Sequence, residues 1–333
     1  MAEPAGNSTQ PPRPSGRRIA LQVAGFVLGC ALVAWCVARA SSAGEGGLEK
    51  LRAAEPIHVW TLVLSTLGSI VCSGFTFWTV GLPVRRFGFG EMQAVNLMAS
   101  LFNYAPVRLG LFLRALYHWR IDRMPVTDIG AWIAGVAIVT LGTLGAGLVA
   151  GLVQIVAGRK ELAIDWMWFA GFGTVIVVGC AATRAVGRSA LLKRFLKGGE
   201  RVLVDPRALY GGVAFRTVDL VMWSLRMWAA AKIVGVSLGP AQTAMLASVA
   251  ILGAGNPLGR IGWREALVAF VAPYVLTADA PAEDIDALTA QLALLESAGE
   301  AFLTIPLGIA GAAWCLLKVR RVRSGKASAS PTP

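Results

Sequence analysis

The residues with the most chemical character sit where an apolar chain can least accommodate them. Gly255-Asn256-Pro257-Leu258-Gly259-Arg260-Ile261-Gly262-Trp263-Arg264-Glu265 packs three glycines, a proline and three charged residues into eleven positions of a hydrophobic region. A weaker copy occurs earlier, as Asn103-Tyr104-Ala105-Pro106-Val107-Arg108-Leu109-Gly110 followed by Arg114. Both contain Asn, Pro and then Arg-(Leu or Ile)-Gly. Lipid tolerates such a sequence only where protein or a water-filled cavity satisfies the backbone and the charges. A guanidinium beside a proline break lies near a helix start, where free N–H groups and the helix dipole also favour an anion. Arginine grips phosphate bidentately, so the chemistry expected of Arg108 and Arg260 is the holding of a phosphate or acidic headgroup. A structural ion pair between the two breaks is the alternative.

Other polar residues follow the same logic. Glu265 either neutralises Arg264 or Arg108, or titrates. Asp219 and Arg226 lie seven apart on one helix face, where a salt bridge that includes Arg216 competes with a lipid path. Glu296 and Glu300, four apart, either hold a proton or cation or counter Arg226 or Lys232. Asn103 and Asn256 cap or hydrogen-bond the broken backbone. The candidate lipid-binding set is therefore Asn103, Arg108, Arg114, Arg226, Asn256, Arg260, Arg264, Glu265 and Glu300. Gly135, Gly142, Gly145 and Gly151 read as close helix packing, and His118 as an interfacial residue. Cys30, Cys36, Cys72, Cys180 and Cys315 fall in apolar runs without metal-ligand spacing and read as buried thiols. No catalytic or zinc arrangement of Cys, His and Asp stands out, and no cofactor is expected.

The elements that must position these residues are long apolar runs. The chain has 333 residues, 56% of them hydrophobic and 15% charged, with mean hydropathy +0.62. Several runs reach the roughly 20 residues that cross about 30 Å of hydrocarbon, so the expected class is an all-α polytopic membrane protein. The net charge of +12 falls largely in short connections, at Arg13, Arg17 and Arg18, at Arg85 and Arg86, from Arg184 to Arg207, and from Lys318 to Lys326. That is the positive-inside pattern. It excludes a nucleic-acid partner, which needs basic and aromatic residues on a folded soluble face.

Residues 1–18 read as a disordered cytoplasmic tail and 19–38 as the first span, followed by an outside loop over 39–56. Residues 57–82 return inward. Glu91 to Tyr117, broken at Pro106, suits a re-entrant pair of short helices, and Val126 to Ala157 goes outward. Residues 162–182 come back, and the loop 184–207 carries seven Lys or Arg against Glu200 and Asp205. Residues 209–238 go outward, 241–278 are re-entrant, 279–286 lie outside with four acids and no Lys or Arg, and 288–317 return. About six full spans and two re-entrant segments result, divided into repeats 19–160 and 161–320, with 321–333 as a cytoplasmic tail. The halves run in opposite senses, which is the inverted repeat of many transporters. Both termini are expected on the cytoplasmic side of the plasma (inner) membrane.

The broken segments resemble the flippase-like transmembrane region of the lysylphosphatidylglycerol synthase family over roughly residues 19–320. The first is similar to that family's Pro-Gly-Arg-x-Gly-Glu-x-x-Arg-Ala stretch through Pro106, Arg108, Gly110, Arg114 and Ala115. Val107 stands where Gly is usual and Leu111 where Glu is usual. The second is similar to its Pro-Gly-Gly-x-Gly-x-x-Glu stretch through Gly259, Gly262 and Glu265, with Pro257 one residue early and Arg260 replacing a glycine. The resemblance implies a helical bundle with re-entrant elements that moves lipids between leaflets. Full-length synthases carry a soluble aminoacyl-transferase domain after the membrane region, and no such segment follows here before Pro333, so lipid aminoacylation is not expected. The expected partner is a lipid with an anionic or phosphate-linked headgroup. Two rivals stand beside the transporter: a membrane-embedded enzyme acting on a lipid phosphate with Glu265 as its base, and a non-catalytic partner that recruits a glycosyltransferase or other lipid-modifying enzyme through the 184–207 loop.

Overall fold

The computed structural model describes residues 16–41, 47–105, 109–159, 162–196, 198–255, 262–275 and 282–328. All regular structure among them is helical. The helices are α1 (Gly16–Ser41), α2 (Gly47–Ala53), α3 (Pro56–Gly81), α4 (Phe89–Phe102), α5 (Leu109–Arg120), α6 (Val126–Val156), α7 (Trp166–Gly187), α8 (Ala190–Leu196), α9 (Arg201–Val204), α10 (Pro206–Val234), α11 (Pro240–Ala254), α12 (Trp263–Val275) and α13 (Ala282–Ser328). Among the described residues four helical stretches are long and apolar enough to cross a membrane: Pro56–Gly81, Val126–Val156, Trp166–Gly187 and Ile285–Val322. The protein is thus an all-helical membrane protein. α10 has the length but carries Arg216, Asp219, Arg226 and Lys232, which lower its hydropathy.

Local chemistry explains several boundaries. The Asp165 carboxylate caps α7 by accepting from the N–H groups of Met167 (3.0 Å) and Trp168 (3.1 Å). Asp205 does the same for α10, with Pro206 at the first helical position. α10 ends at Gly235, whose φ of 91° is left-handed and suits glycine. Helices flank both expected breaks, α4 and α5 the first and α11 and α12 the second; residues 106–108 and 256–261 lie outside the described residues. The Gln242 side chain accepts from Gly239 N–H (2.7 Å) and donates to the Val275 carbonyl (2.7 Å), closing the α11–α12 hairpin at its far end.

α3 and α10 pack along one another at the centre. Around them α4 lies on α13, α11 on α6, α1 on α13, and α7 on α6. The largest core cluster is alanine-rich, with Ala229, Ala230, Ala231, Ala247 and Ala250 fully buried. Such small side chains let helix backbones approach in a membrane. A second cluster surrounds Trp132, against Phe87, Val80 and Leu209.

Several expectations are corrected. The loops 39–56 and 184–207 contain short helices, α2 in the first and α8 and α9 in the second. The last helix runs through residues 321–328, read from sequence as tail, because Lys and Arg propagate a helix well once it is nucleated. His118 is fully buried rather than interfacial: it packs edge-on against Phe87, Tyr117 and Trp132 and bonds Asp122, one turn on, at 2.6 Å. A Cβ on Gly135 would stand 2.5 Å from Val202 Cγ1, so close packing holds there, whereas Gly142 and Gly145 face open space. Cys36, Cys180 and Cys315 are buried, but Cys30 is exposed on α1.

Candidate functional site

Two polar constellations lie inside the bundle, one in each half. The second-half constellation is an ion-pair network across α10, α12 and α13. Arg226 on α10 pairs with Glu296 and, at 3.3 Å, with Glu300, both on α13. Arg264 on α12 pairs with Glu300, with Glu296 at 3.6 Å, and with its neighbour Glu265 at 3.3 Å. Glu296 and Glu300, one turn apart, thus clamp two guanidiniums between them. The Trp223 ring closes the network from below, 3.8 Å from the Arg226 guanidinium carbon. All four charged partners in the clamp are buried.

Glu265 is tied on three sides. It is the third residue of α12 and reaches back to accept from the Gly262 N–H at 2.8 Å, which is half of a capping box. It also accepts from Ser297 on α13 and from Arg264. Of the alternatives for Glu265, pairing with Arg264 is observed; Arg108 lies outside the described residues. Gly262 has φ +84°, and a Cβ there would stand 1.8 Å from the Gly29 carbonyl oxygen. Only glycine lets the second break press on α1 in this way.

The first-half constellation is different. Arg114, on α5, is 3% exposed. It donates through Nη2 to Asn96 Oδ1 (2.6 Å), and its guanidinium carbon stands 3.3 Å over the Phe77 ring. Its Nη1 has no hydrogen-bond partner, and no carboxylate lies within salt-bridge distance among the described residues. Arg114 lines a cavity of about 270 Å³ between α3, α4, α5, α6, α10, α11 and α13. Asp219, Arg216 and Glu300 line it as well. Asp219 pairs with Arg216 and accepts from Ser69 at 2.6 Å. It does not pair with Arg226, which goes to α13 instead.

The sequence-derived set therefore divides. Arg114, Asn103 and Glu300 line the cavity; Arg226, Arg264 and Glu265 belong to the ion network and are not among the lining residues. Arg108, Asn256 and Arg260 lie outside the described residues. Glu296 and Glu300 counter Arg226 as one alternative had it, but Arg264 takes the place assigned to Lys232. Asn103 ends α4 through its backbone, with its N–H on the Ala99 carbonyl at 3.0 Å. The sequence reading missed Asn96, Ser69, Ser73 and Thr304. Their signal was available: hydroxyl and amide residues at helical spacing on α3 and α4 face inward in a membrane bundle. Thr304 Oγ1, like Arg114 Nη1, is buried without a hydrogen-bond partner. Among the described residues no group of His, Cys, Asp and Glu gathers to hold a metal ion.

No protein-family profile, curated protein or solved structure matches this chain.

Proposed function

We propose that the protein is a flippase-like transporter that moves a lipid with an anionic or phosphate-linked headgroup between leaflets. One observation carries this reading: a buried guanidinium without a carboxylate partner among the described residues, in the wall of a polar cavity inside a membrane bundle. A charged side chain at mid-bilayer costs about 2.5–3.5 kcal/mol on insertion scales, so an uncompensated one calls for a guest. A phosphate oxygen is a fitting acceptor for Nη1. The acyl chains would remain in lipid while the headgroup occupies the cavity.

The packing order supports the inverted repeat that such transporters use. Exchanging α1, α3, α4–α5 and α6 for α7, α10, α11–α12 and α13 maps α3 against α10 onto itself. It also maps α4 on α13 onto α11 on α6, and α1 on α13 onto α7 on α6. Each of these contacts is present. The two broken hairpins then meet from opposite sides of the membrane, with α10 and α3 between them. Within this reading the chain belongs with the flippase-like region of lysylphosphatidylglycerol synthases, and both termini and the 184–207 segment face the cytoplasm of the plasma (inner) membrane. The rival enzyme draws no support from Glu265, which is held by three partners and stands away from the cavity wall.

The test is reconstitution into liposomes carrying a fluorescent phospholipid whose inner-leaflet pool is protected from a membrane-impermeant quencher. The wild-type protein should expose that pool, and Arg114→Gln should slow exposure at least tenfold. Equal rates for the two proteins would overturn the reading.

A further inference from the structure

The cavity lining carries charges of both signs. Its described lining holds two guanidiniums, Arg114 and Arg216, and two carboxylates, Asp219 and Glu300. Arg216 is paired with Asp219, though its Nε is also without a hydrogen-bond partner, whereas Arg114 has an unused Nη1 and no carboxylate in reach among the described residues. Both lining carboxylates are ion-paired, Asp219 with Arg216 and Glu300 with Arg226 and Arg264, so an anion alone would satisfy Arg114 and leave the remaining acceptor sites of Asp219 unused. A cation alone would be repelled by Arg114.

Asp219 retains capacity for a donor. Its oxygens accept from Ser69 and Arg216, whereas a carboxylate offers about four acceptor sites. Ser73 lies one turn from Ser69 on the same face of α3 and also lines the cavity, and the partnerless Thr304 hydroxyl stands on α13 in the same wall as Glu300. A donor-rich group entering there meets a carboxylate and hydroxyl acceptors. A cavity of about 270 Å³ has room for a small headgroup.

We infer that the cavity takes a zwitterionic headgroup of one phosphate and one amine: the phosphate on Arg114 and Asn96, the ammonium against Asp219 and the serine hydroxyls of α3. This rests on the lipid reading above and narrows it to a net-neutral, phosphoethanolamine-type headgroup. Separate sites for the phosphate and the ammonium also set the headgroup's orientation, which is what complementary potentials contribute in recognition.

The experiment measures binding of water-soluble dihexanoyl phospholipids to the purified full-length protein by titration calorimetry. The headgroups are phosphoethanolamine, phosphoglycerol and bare phosphate. The phosphoethanolamine lipid should bind at least tenfold more tightly than the phosphoglycerol lipid, and Arg114→Gln should weaken both. The double variant Arg216→Gln/Asp219→Asn removes the carboxylate without stranding its arginine, and it should collapse the ratio between the two lipids towards one. Equal or tighter phosphoglycerol binding by the wild type would overturn the zwitterion inference while leaving the lipid reading intact. So would an unchanged ratio in a monodisperse double variant. Absence of binding by all three lipids would overturn both.

Discussion

The two broken hairpins answer the same problem in opposite ways. In the second, α11–α12, every buried charge described has a partner: Arg264 and Arg226 share Glu296 and Glu300, and Glu265 caps its own helix. The hairpin is further braced by α1, where Gly262 meets Gly29 backbone to backbone. In the first, α4–α5, a single buried arginine relies on an amide and an aromatic ring. α7, which the proposed repeat pairs with α1, packs on α6 and makes no substantial contact with α5. Leu109, Leu111 and Phe112 of α5 remain exposed. On the reading proposed above, the charge-paired network is the scaffold and the hairpin whose arginine lacks a carboxylate is the receptor. The near-symmetry of the packing makes the unequal distribution of charge the informative feature.

The sharpest way to break this comparison is to attack the ion-paired side. Glu296→Gln should lower stability by about 3–5 kcal/mol, because it strands part of a buried guanidinium pair. Adding Arg226→Gln should restore part of that loss, measured by unfolding in mixed micelles. A single variant as stable as wild type would remove the scaffold from the account.

On the side without a carboxylate the expected pattern inverts. Arg114→Gln should cost transport while leaving stability unchanged or raised, since the native protein already carries the desolvation of a buried guanidinium without a carboxylate among the described residues. Thermal unfolding and the liposome assay on the same preparation read both quantities. Destabilisation matching that of Glu296→Gln would make the two halves alike.

A smaller effect is expected from glycines. Gly262→Ala should destabilise by about 1–3 kcal/mol, since it combines a left-handed backbone with a clash against Gly29. Gly142→Ala, which meets open space, should be neutral or gain up to about 1 kcal/mol through the unfolded chain. Similar losses at both sites would show that the brace on the second break is not specific.

The smallest effect concerns a charge in water. The Asp165 carboxyl is held below its usual range, first by the Trp168 N–H it caps, and also by Arg159 and Gln154. A depressed carboxylate adds stability above its unfolded pKa, which is about 3.9. That contribution is lost as pH falls through the lower folded value. Amide protection factors in residues 162–170, corrected for the intrinsic pH dependence of exchange, should therefore fall at acid pH in the wild type, and already be low at neutral pH in Asp165→Ala. Exchange that ignores both changes would show that this cap does not hold the start of α7.

Much of the architecture was legible because apolar length and charge placement are local signals. The two breaks announced themselves through Pro106 and Pro257 with their arginines, and helices flank both. Partner choice was not legible. A buried arginine demands a carboxylate or a guest, but the sequence does not say that Glu300 reaches back 36 positions to Arg264 while Arg114 finds an amide. His118 was misplaced for the same reason: aromatic and basic neighbours suggest an interface, whereas its actual surroundings come from Phe87 and Trp132, distant in sequence. The length of α13 was underestimated because hydropathy marks where lipid ends, not where the helix does.

That long helix also has a mechanical meaning. Gly308 and Gly311 leave notches on α13, into which α4 places Leu97 and Leu101, one turn apart; a Cβ on Gly308 would come within 2.5 Å of Leu101, and one on Gly311 within 2.7 Å of Leu97. Two teeth in two notches resist sliding along the axis but permit pivoting about the contact. The pivot stands twelve residues from Glu296, about 18 Å along the helix at 1.5 Å per residue. α13 is therefore clamped at one station by arginines and keyed at the other to the hairpin that holds Arg114, with Pro306 between the two stations as the place where the helix can bend.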